Sequence, residues 1–299
     1  MIGVIVNPQA GYVVQHGVDQ LRAQIAKVVP DARVIVLQPH DDLDCICRDL
    51  LASGVTCVAA VGGDGTVSSV AANLIDSRVP LGVVPGGTLN HFARDVGVGR
   101  DVPRAIETLA ELYVERVDVG MVNERIFLNN STIGLYPEIV RVREGVEHRL
   151  GKLRAMLRAG LIAFGRTKWT NVHISSDGRD GNVRTRMLFV GNNRYELDLL
   201  HLGRRESIQD GVLSCYILDA PSRFQLARTV LASLSGKRRP HKYFRSIQAT
   251  EMTVTPSGER EVDVAADGEV LSMKAPLVYT IRPMALRVVV PKSSRESRQ

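Results

Sequence analysis

Three glycine-rich runs in the first third of the chain carry the residue types that gather around a phosphate: Asn7-Pro8-Gln9-Ala10-Gly11, Gly62-Gly63-Asp64-Gly65-Thr66, and Pro85-Gly86-Gly87-Thr88-Leu89-Asn90-His91-Phe92. Glycines let the backbone turn several N–H groups toward one point. A helix-like run starting at Val67 would add the positive end of its dipole. Thr66 and Thr88 offer hydroxyls, and Asn7 and Asn90 amides, able to hold phosphate oxygens or the edge of a nucleoside without adding charge. No lysine follows the glycines, so this is not the GxxxxGK[ST] loop. One such turn alone is weak, because glycine after a strand often only reverses the chain; three on one sheet edge are another matter. Two Asp-Gly pairs stand later, Asp210-Gly211 and Asp267-Gly268, the second followed by Glu269. Such a carboxylate can take a proton from a hydroxyl or hold a divalent cation, but Asp-Gly is also a common hairpin turn.

The elements that must position these residues are legible in outline. Ile2 to Val6, Arg33 to Leu37, Cys57 to Val61 and Leu81 to Val84 read as strands alternating with helix-like stretches. That is the pattern of a parallel sheet covered by helices, whose ligands bind beyond the carboxyl ends of the strands. From Val117 the pattern changes to β-like runs separated by turns: 117–121, 125–130, 172–175, 185–191, 213–218, 251–255, 261–265, 277–281 and 286–290. The expectation is an α/β nucleotide-binding domain over 1–116, a mostly antiparallel β-sandwich or open barrel over 117–292, and a disordered tail over 293–299. A helix over 141–168 interrupts the strands and carries eight basic residues against two acidic ones, with apolar residues near helical spacing. It suits an anionic membrane surface or a solvated face of a core helix equally.

The 299 residues are 44% hydrophobic and 23% charged, with a formal charge of +6. A positive balance favours an anionic partner without choosing among nucleotide, lipid headgroup and nucleic acid. No stretch approaches the roughly 18 apolar residues of a membrane span and no basic leader precedes the first strand, so a cytoplasmic protein is expected, peripheral at the inner membrane face if it docks there. Cys45, Cys47, Cys57 and Cys215 fit neither zinc spacing nor a disulfide framework and read as reduced thiols. The basic stretch lacks interleaved aromatics, Trp169 being its one large flat ring, which argues against nucleic acid. Open strand edges suggest pairing of two copies into a homodimer.

Val6–Gly11 (VNPQAG), Gly62–Val70 (GGDGTVSSV) and Pro85–Ala93 (PGGTLNHFA) together resemble the nucleotide-binding signatures of the diacylglycerol kinase catalytic family, related to the sphingosine kinases. Val117–Gly134, Gln209–Leu213 (QDGVL) and Ala266–Glu269 (ADGE) resemble its second-domain motifs. The resemblance implies a fold like that of NAD kinases and phosphofructokinases. It also implies an ATP site in the cleft between the two domains and a lipid hydroxyl as acceptor at the membrane surface. Carried over, Gly62, Gly63, Asp64, Gly65, Thr66, Val67, Ser68, Gly87, Thr88 and Asn90 would bind the nucleotide and Asn7 would brace the first loop. Asp267 would receive the acceptor proton beside Glu269, with Asp64 as rival base or magnesium ligand. Asp210, with the carbonyls of Ser207 and Val212, would hold a structural Mg2+. The chain departs from the family pattern at Ser68-Ser69, where Asn-Glu is usual, at His91, where Asp is usual, and at Pro85-Gly86, where Pro-Leu is commoner. A kinase for a soluble acceptor such as NAD, and an inactive nucleotide- or lipid-binding regulator, are the competing readings; the second-domain motifs weigh against the first and a retained Asp267 against the second.

Overall fold

The computed structural model describes residues 1–134, 169–195, 205, 207–218 and 244–292. The helix expected over 141–168 and the tail over 293–299 lie outside these residues. The chain forms two compact units, one made of 1–119 and 283–292 and the other of 120–282 as far as these are described.

The first unit is built on a parallel sheet. Strands β1 (Ile2–Val6), β2 (Arg33–Val36), β3 (Cys57–Gly62) and β4 (Leu81–Pro85) lie in the order β2-β1-β3-β4. β1, β3 and β4 are buried along their whole length, which is why they read as unbroken apolar runs; β2, at the edge, is partly exposed. Helices α1 (Gly11–His16), α2 (Val18–Val28), α3 (Leu43–Ala52), α4 (Asp64–Ala72), α5 (His91–Asp95) and α6 (Val102–Glu111) connect them. Their starts are written in the sequence. The Asp42 carboxylate accepts the N–H groups of Asp44 and Cys45 at the head of α3, and Asp101 accepts that of Arg104 at the head of α6, beside Pro103. α6 then turns Val102, Ala105, Ile106 and Leu109 inward, and Leu109 sits against Gly82 of β4, where any Cβ would collide with it.

Strand β5 (Val114–Val122) leads out of this unit and β16 (Leu277–Val289) leads back. Here the structure differs from the sequence expectation. The runs at 277–281 and 286–290 are one continuous strand through Pro283, and the boundary expected at 116/117 falls inside β5. Proline in mid-run reads as a break because it cannot donate to a ladder; β16 changes partners there, pairing β13 before it and β4 after it.

The second unit is an antiparallel β-sandwich. One sheet runs β12 (Phe244–Ala249), β11 (Leu213–Leu218), β10 (Met187–Asn192), β7 (Asn130–Gly134), β14 (Glu261–Ala266), β15 (Glu269–Lys274). The other joins β9 (Arg179–Thr185), β8 (Thr170–Ser176), β13 (Glu251–Pro256) and the first half of β16, with β6 (Arg125–Phe127) pairing the end of β5. Their inner faces meet through Phe127, Ile133, Val172, Ile174, Leu188, Val190, Cys215, Val254, Val264 and Tyr279. β9, β12 and β15 were not expected from sequence. Cys47, Cys57 and Cys215 are buried free thiols, as expected, whose burial pushes them up to about 11, 12 and 12; Cys45 is free and exposed. Among the described residues no helix is long and apolar enough to cross a membrane.

Candidate active site

The carboxyl ends of β1, β3 and β4 end in register, Val6 beside Val61 and Gly62 beside Pro85, so the three glycine-rich turns leave the sheet side by side. They are bonded to one another. The Asn7 N–H donates to the Val61 carbonyl at 3.0 Å, Gly86 N–H to Gly62 at 2.8 Å, and Tyr12 N–H to Gly86 at 3.1 Å. At two of these glycines the packing leaves no room for a side chain: a Cβ on Gly87 would stand 2.5 Å from the Gly63 Cα, and one on Gly62 2.5 Å from the Thr66 Cβ. α4 begins directly after Gly63, with Val67 and Ser68 buried in its first turns and the amides of Asp64, Gly65 and Thr66 at its head. The result is a rim of peptide groups at the positive end of a nine-residue helix, suited to the oxygens of a phosphate chain.

The side chains of Asn7 and Asn90 both bond within the loops. Asn7 Nδ2 donates to Thr66 Oγ1 at 2.9 Å while its Oδ1 accepts Gln9 N–H at 2.9 Å. Asn90, at a left-handed φ of 49°, accepts the Gly87 N–H and returns a bond to the Gly87 carbonyl. Thr66 thus receives a bond from Asn7 and points its own proton elsewhere, and Thr88 stands exposed at the tip of its turn.

Asp64 ties two of these turns together, because its Oδ1 accepts the Phe92 N–H at 3.1 Å at the head of α5. Beside it, His91 Nδ1 lies 3.2 Å from Arg94 Nη2, so the nitrogen accepts and the ring carries its proton on Nε2. Burial lowers the His91 pKa, opposed by Asp64 and Asp95 and reinforced by Arg94 and Arg100. A histidine whose folded pKa lies below its unfolded one contributes stability that is present above the unfolded value and lost as pH falls through the folded one. Thermal unfolding from pH 7.5 to 5 should therefore show a larger fall in Tm for the native chain than for His91→Gln, and equal falls would remove His91 from the loop's acid response.

In the second unit, Asp267 and Gly268 both have positive φ, 48° and 88°, the two-residue turn joining β14 to β15. The side chain does more than turn the chain. Asp267 Oδ2 accepts Leu128 N–H at 2.7 Å, and Oδ1 accepts those of Asn129 at 2.8 Å and Asn130 at 3.2 Å, between β6 and β7. The opposite edge of that segment is held as well: Leu128 O accepts Arg205 Nη1 at 2.6 Å and Asn192 Nδ2 at 2.9 Å, and Asn129 O accepts Tyr195 Oη at 2.8 Å. Asn192, Tyr195 and Arg205 went unnoticed in the sequence, and their burial is the signal that marks them. Glu269 lies next in the hairpin, about half exposed, in an ion pair with Arg125 at 2.5 Å. The structure thus brings Asp267 to a rigid peptide corner and gives Glu269 a cationic partner.

Among the described residues no three His, Cys, Asp or Glu side chains cluster as a metal site. Asp210 is exposed in the turn before β11, with Gly211 at φ 66°. The Val212 carbonyl accepts Asn193 N–H at 2.9 Å, and Ser207 Oγ accepts Gln209 N–H at 3.1 Å. The Val212 carbonyl is thus already bonded; one exposed carboxylate beside backbone carbonyls is the kind of oxygen set that a hard, water-retaining cation such as Mg2+ takes.

Comparison with known proteins bears on both units. The diacylglycerol kinase catalytic domain model matches residues 1–122, and that of the YegS C-terminal NAD kinase beta sandwich-like domain matches 138–290. A protein of Pseudomonas syringae pv. tomato named Probable lipid kinase YegS-like is 30% identical over 291 residues, covering 93% of this chain and 92% of its own. The protein named Diacylglycerol kinase in Bacillus subtilis is 28% identical over 245 residues, covering 80% of this chain and 79% of its own. A crystal structure of a diacylglycerol kinase from Bacillus anthracis shares the fold, with a TM-score of 0.69 at 20% identity over 98% of this chain and 97% of that one.

Proposed function

Because this chain belongs to the diacylglycerol kinase family, with the YegS-type C-terminal sandwich, we propose that it is an ATP-dependent kinase that transfers the γ-phosphate to the hydroxyl of a diacylglycerol-like lipid. The observation that carries the reading is the mutual bonding of three glycine turns into a rim of peptide groups at the head of α4.

In this reading the amides at the head of α4, the Thr66 hydroxyl and the Gly87–Thr88 turn hold the phosphate chain of ATP. Asn7, Asp64 and Asn90 hold the loops that present them. Phosphoryl transfer asks little covalent chemistry of a protein: it needs reactants in line, charge spread over the transferred group and a group to receive the hydroxyl proton. Asp267 receives that proton, its carboxylate fixed in orientation by three peptide N–H groups. A second role for Asp267 is favoured by those same bonds, that of a clamp fixing the 128–130 corner. Glu269 acts through its pair with Arg125, steadying the hairpin. A magnesium ion held by Asp210 and the carbonyls of Ser207 and Val212 would be structural, neutralising the carboxylate and stiffening the turn before β11; the magnesium of MgATP arrives with the substrate.

The test is ATP consumption by the purified chain with magnesium and micellar diacylglycerol, sphingoid base, phosphatidylglycerol or NAD. Lipid-dependent turnover names the acceptor class. Turnover with NAD alone overturns the lipid reading, and nucleotide binding without turnover on any acceptor makes the chain a regulator.

A further inference from the structure

The chain has a single tryptophan, and it sits under two arginines. Trp169 is half-buried at the foot of β8; the guanidinium carbon of Arg186 lies 4.9 Å from its ring centroid and that of Arg184 lies 5.4 Å away. Strand alternation explains the gathering. β8 and β9 pair Thr170 with Thr185 and Asn171 with Arg184, while Val172 and Ile174 face the core. Trp169, Asn171 and His173 on one strand, and Arg184 and Asn182 on the other, therefore share the outer face, and Arg186 follows two residues after Arg184.

A single guanidinium would satisfy the ring as a packing contact; two place a pair of cationic forks beside it. Arg184 is exposed and takes part in no ion pair among the described residues. The acids of this hairpin, Asp177 and Asp180, flank its turn at the opposite end, where Ser176 pairs with Arg179. The turn after β13, whose Ser257 N–H reaches the Asn171 carbonyl, adds one charge of each sign, Glu259 and Arg260. The chain enters Trp169 directly from the stretch with eight basic residues and two acidic ones.

We propose that Trp169, Arg184 and Arg186 form a docking surface for an anionic phospholipid bilayer. An indole with an apolar body and one N–H is at home at headgroup depth. Guanidinium forks match phosphate oxygens in pairs. Single-stranded nucleic acid, the competing anion, is held by successive stacking rings, and here there is one. The inference rests on the lipid acceptor reading only in that a bilayer-borne substrate gives docking a purpose; the contact itself needs no turnover.

Because Trp169 is the sole tryptophan, its fluorescence reports the contact directly. The full chain, without ATP, is mixed with vesicles of phosphatidylcholine alone or with about one third phosphatidylglycerol. A blue-shifted emission and co-sedimentation are expected only with the anionic vesicles, both weakening as salt rises. Each arginine at an anionic surface contributes roughly fivefold to partitioning, so Arg184→Gln with Arg186→Gln should lose about 30-fold. Trp169→Phe should retain most of the charge-driven binding. Vesicle binding without an emission change, or undiminished binding by the double variant, overturns the proposal; so does an emission change with a uridine oligonucleotide and none with vesicles. The double variant should match the native chain on a water-soluble short-chain diacylglycerol, and loss there would assign the arginines to catalysis instead. Vesicle binding through Trp169 with no turnover on any lipid would leave the docking surface standing and the kinase reading fallen.

Discussion

Asp267→Asn is expected to cut lipid-dependent ATP turnover at least about a hundredfold while leaving nucleotide affinity within about twofold, because a positioned general base contributes about 10²–10⁴ to rate. Asparagine keeps one carbonyl oxygen, enough for the bonds that Oδ1 receives from Asn129 and Asn130, but its amide NH2 would face the Leu128 N–H, donor against donor. That mismatch costs about 1–3 kcal/mol and lowers Tm by several degrees. The two roles of Asp267 then separate when kcat is measured well below the variant's own Tm. Loss of kcat with a modest drop in Tm makes it the proton acceptor. Retained kcat with a large drop in Tm makes it the clamp of the 128–130 corner, and the base must be sought elsewhere. A rise in the KM for ATP would fit neither role.

How much of this was legible in the chain depends on what buries each element. β1, β3, β4 and β11 are covered on both faces or packed at the sandwich centre, so their apolar runs announce them within a residue. β9 is exposed at every residue but Val183 and Thr185 and reads RDGNVRT, which no hydrophobic period marks. β15 is likewise an edge strand with most side chains half or fully exposed. Its pairing is fixed by the Asp267-Gly268 turn and not by its own pattern. The site divides the same way. The glycine turns are visible because their composition is their function. Which side chains serve the ligand and which serve the loop is not, since that depends on partners far apart in sequence: Asn7 with Thr66, Asp64 with Phe92, Asp267 with Leu128. The buried Arg205, bonded to the Leu128 carbonyl, carries no sequence mark at all, because arginine on a polar stretch reads as solvent-facing.

Two alanine substitutions in the glycine turns should behave oppositely. In Gly87→Ala the new Cβ would lie 2.5 Å from the Gly63 Cα and 3.0 Å from Asn90 Oδ1. The second neighbour is the side chain that closes the turn, and the first is backbone that cannot step aside. The two loops must part, at about 1–3 kcal/mol of overpacking, so Tm falls and nucleotide affinity falls at least about tenfold. In Gly65→Ala the Cβ meets nothing within 4 Å, and the residue lies in the first turn of α4. Alanine there gains about 0.5–1 kcal/mol of helix stability over glycine, so Tm should hold or rise. The fold gives no reason for glycine at that position; the close approach of a phosphate to the helix head does. Calorimetric titration with MgATP should therefore show Gly65→Ala losing affinity, about tenfold or more, in a protein no less stable than the native one. If Gly65→Ala binds MgATP as the native chain does, the phosphate chain does not reach the head of α4, and the rim of peptide groups that carries the kinase reading serves some other ligand.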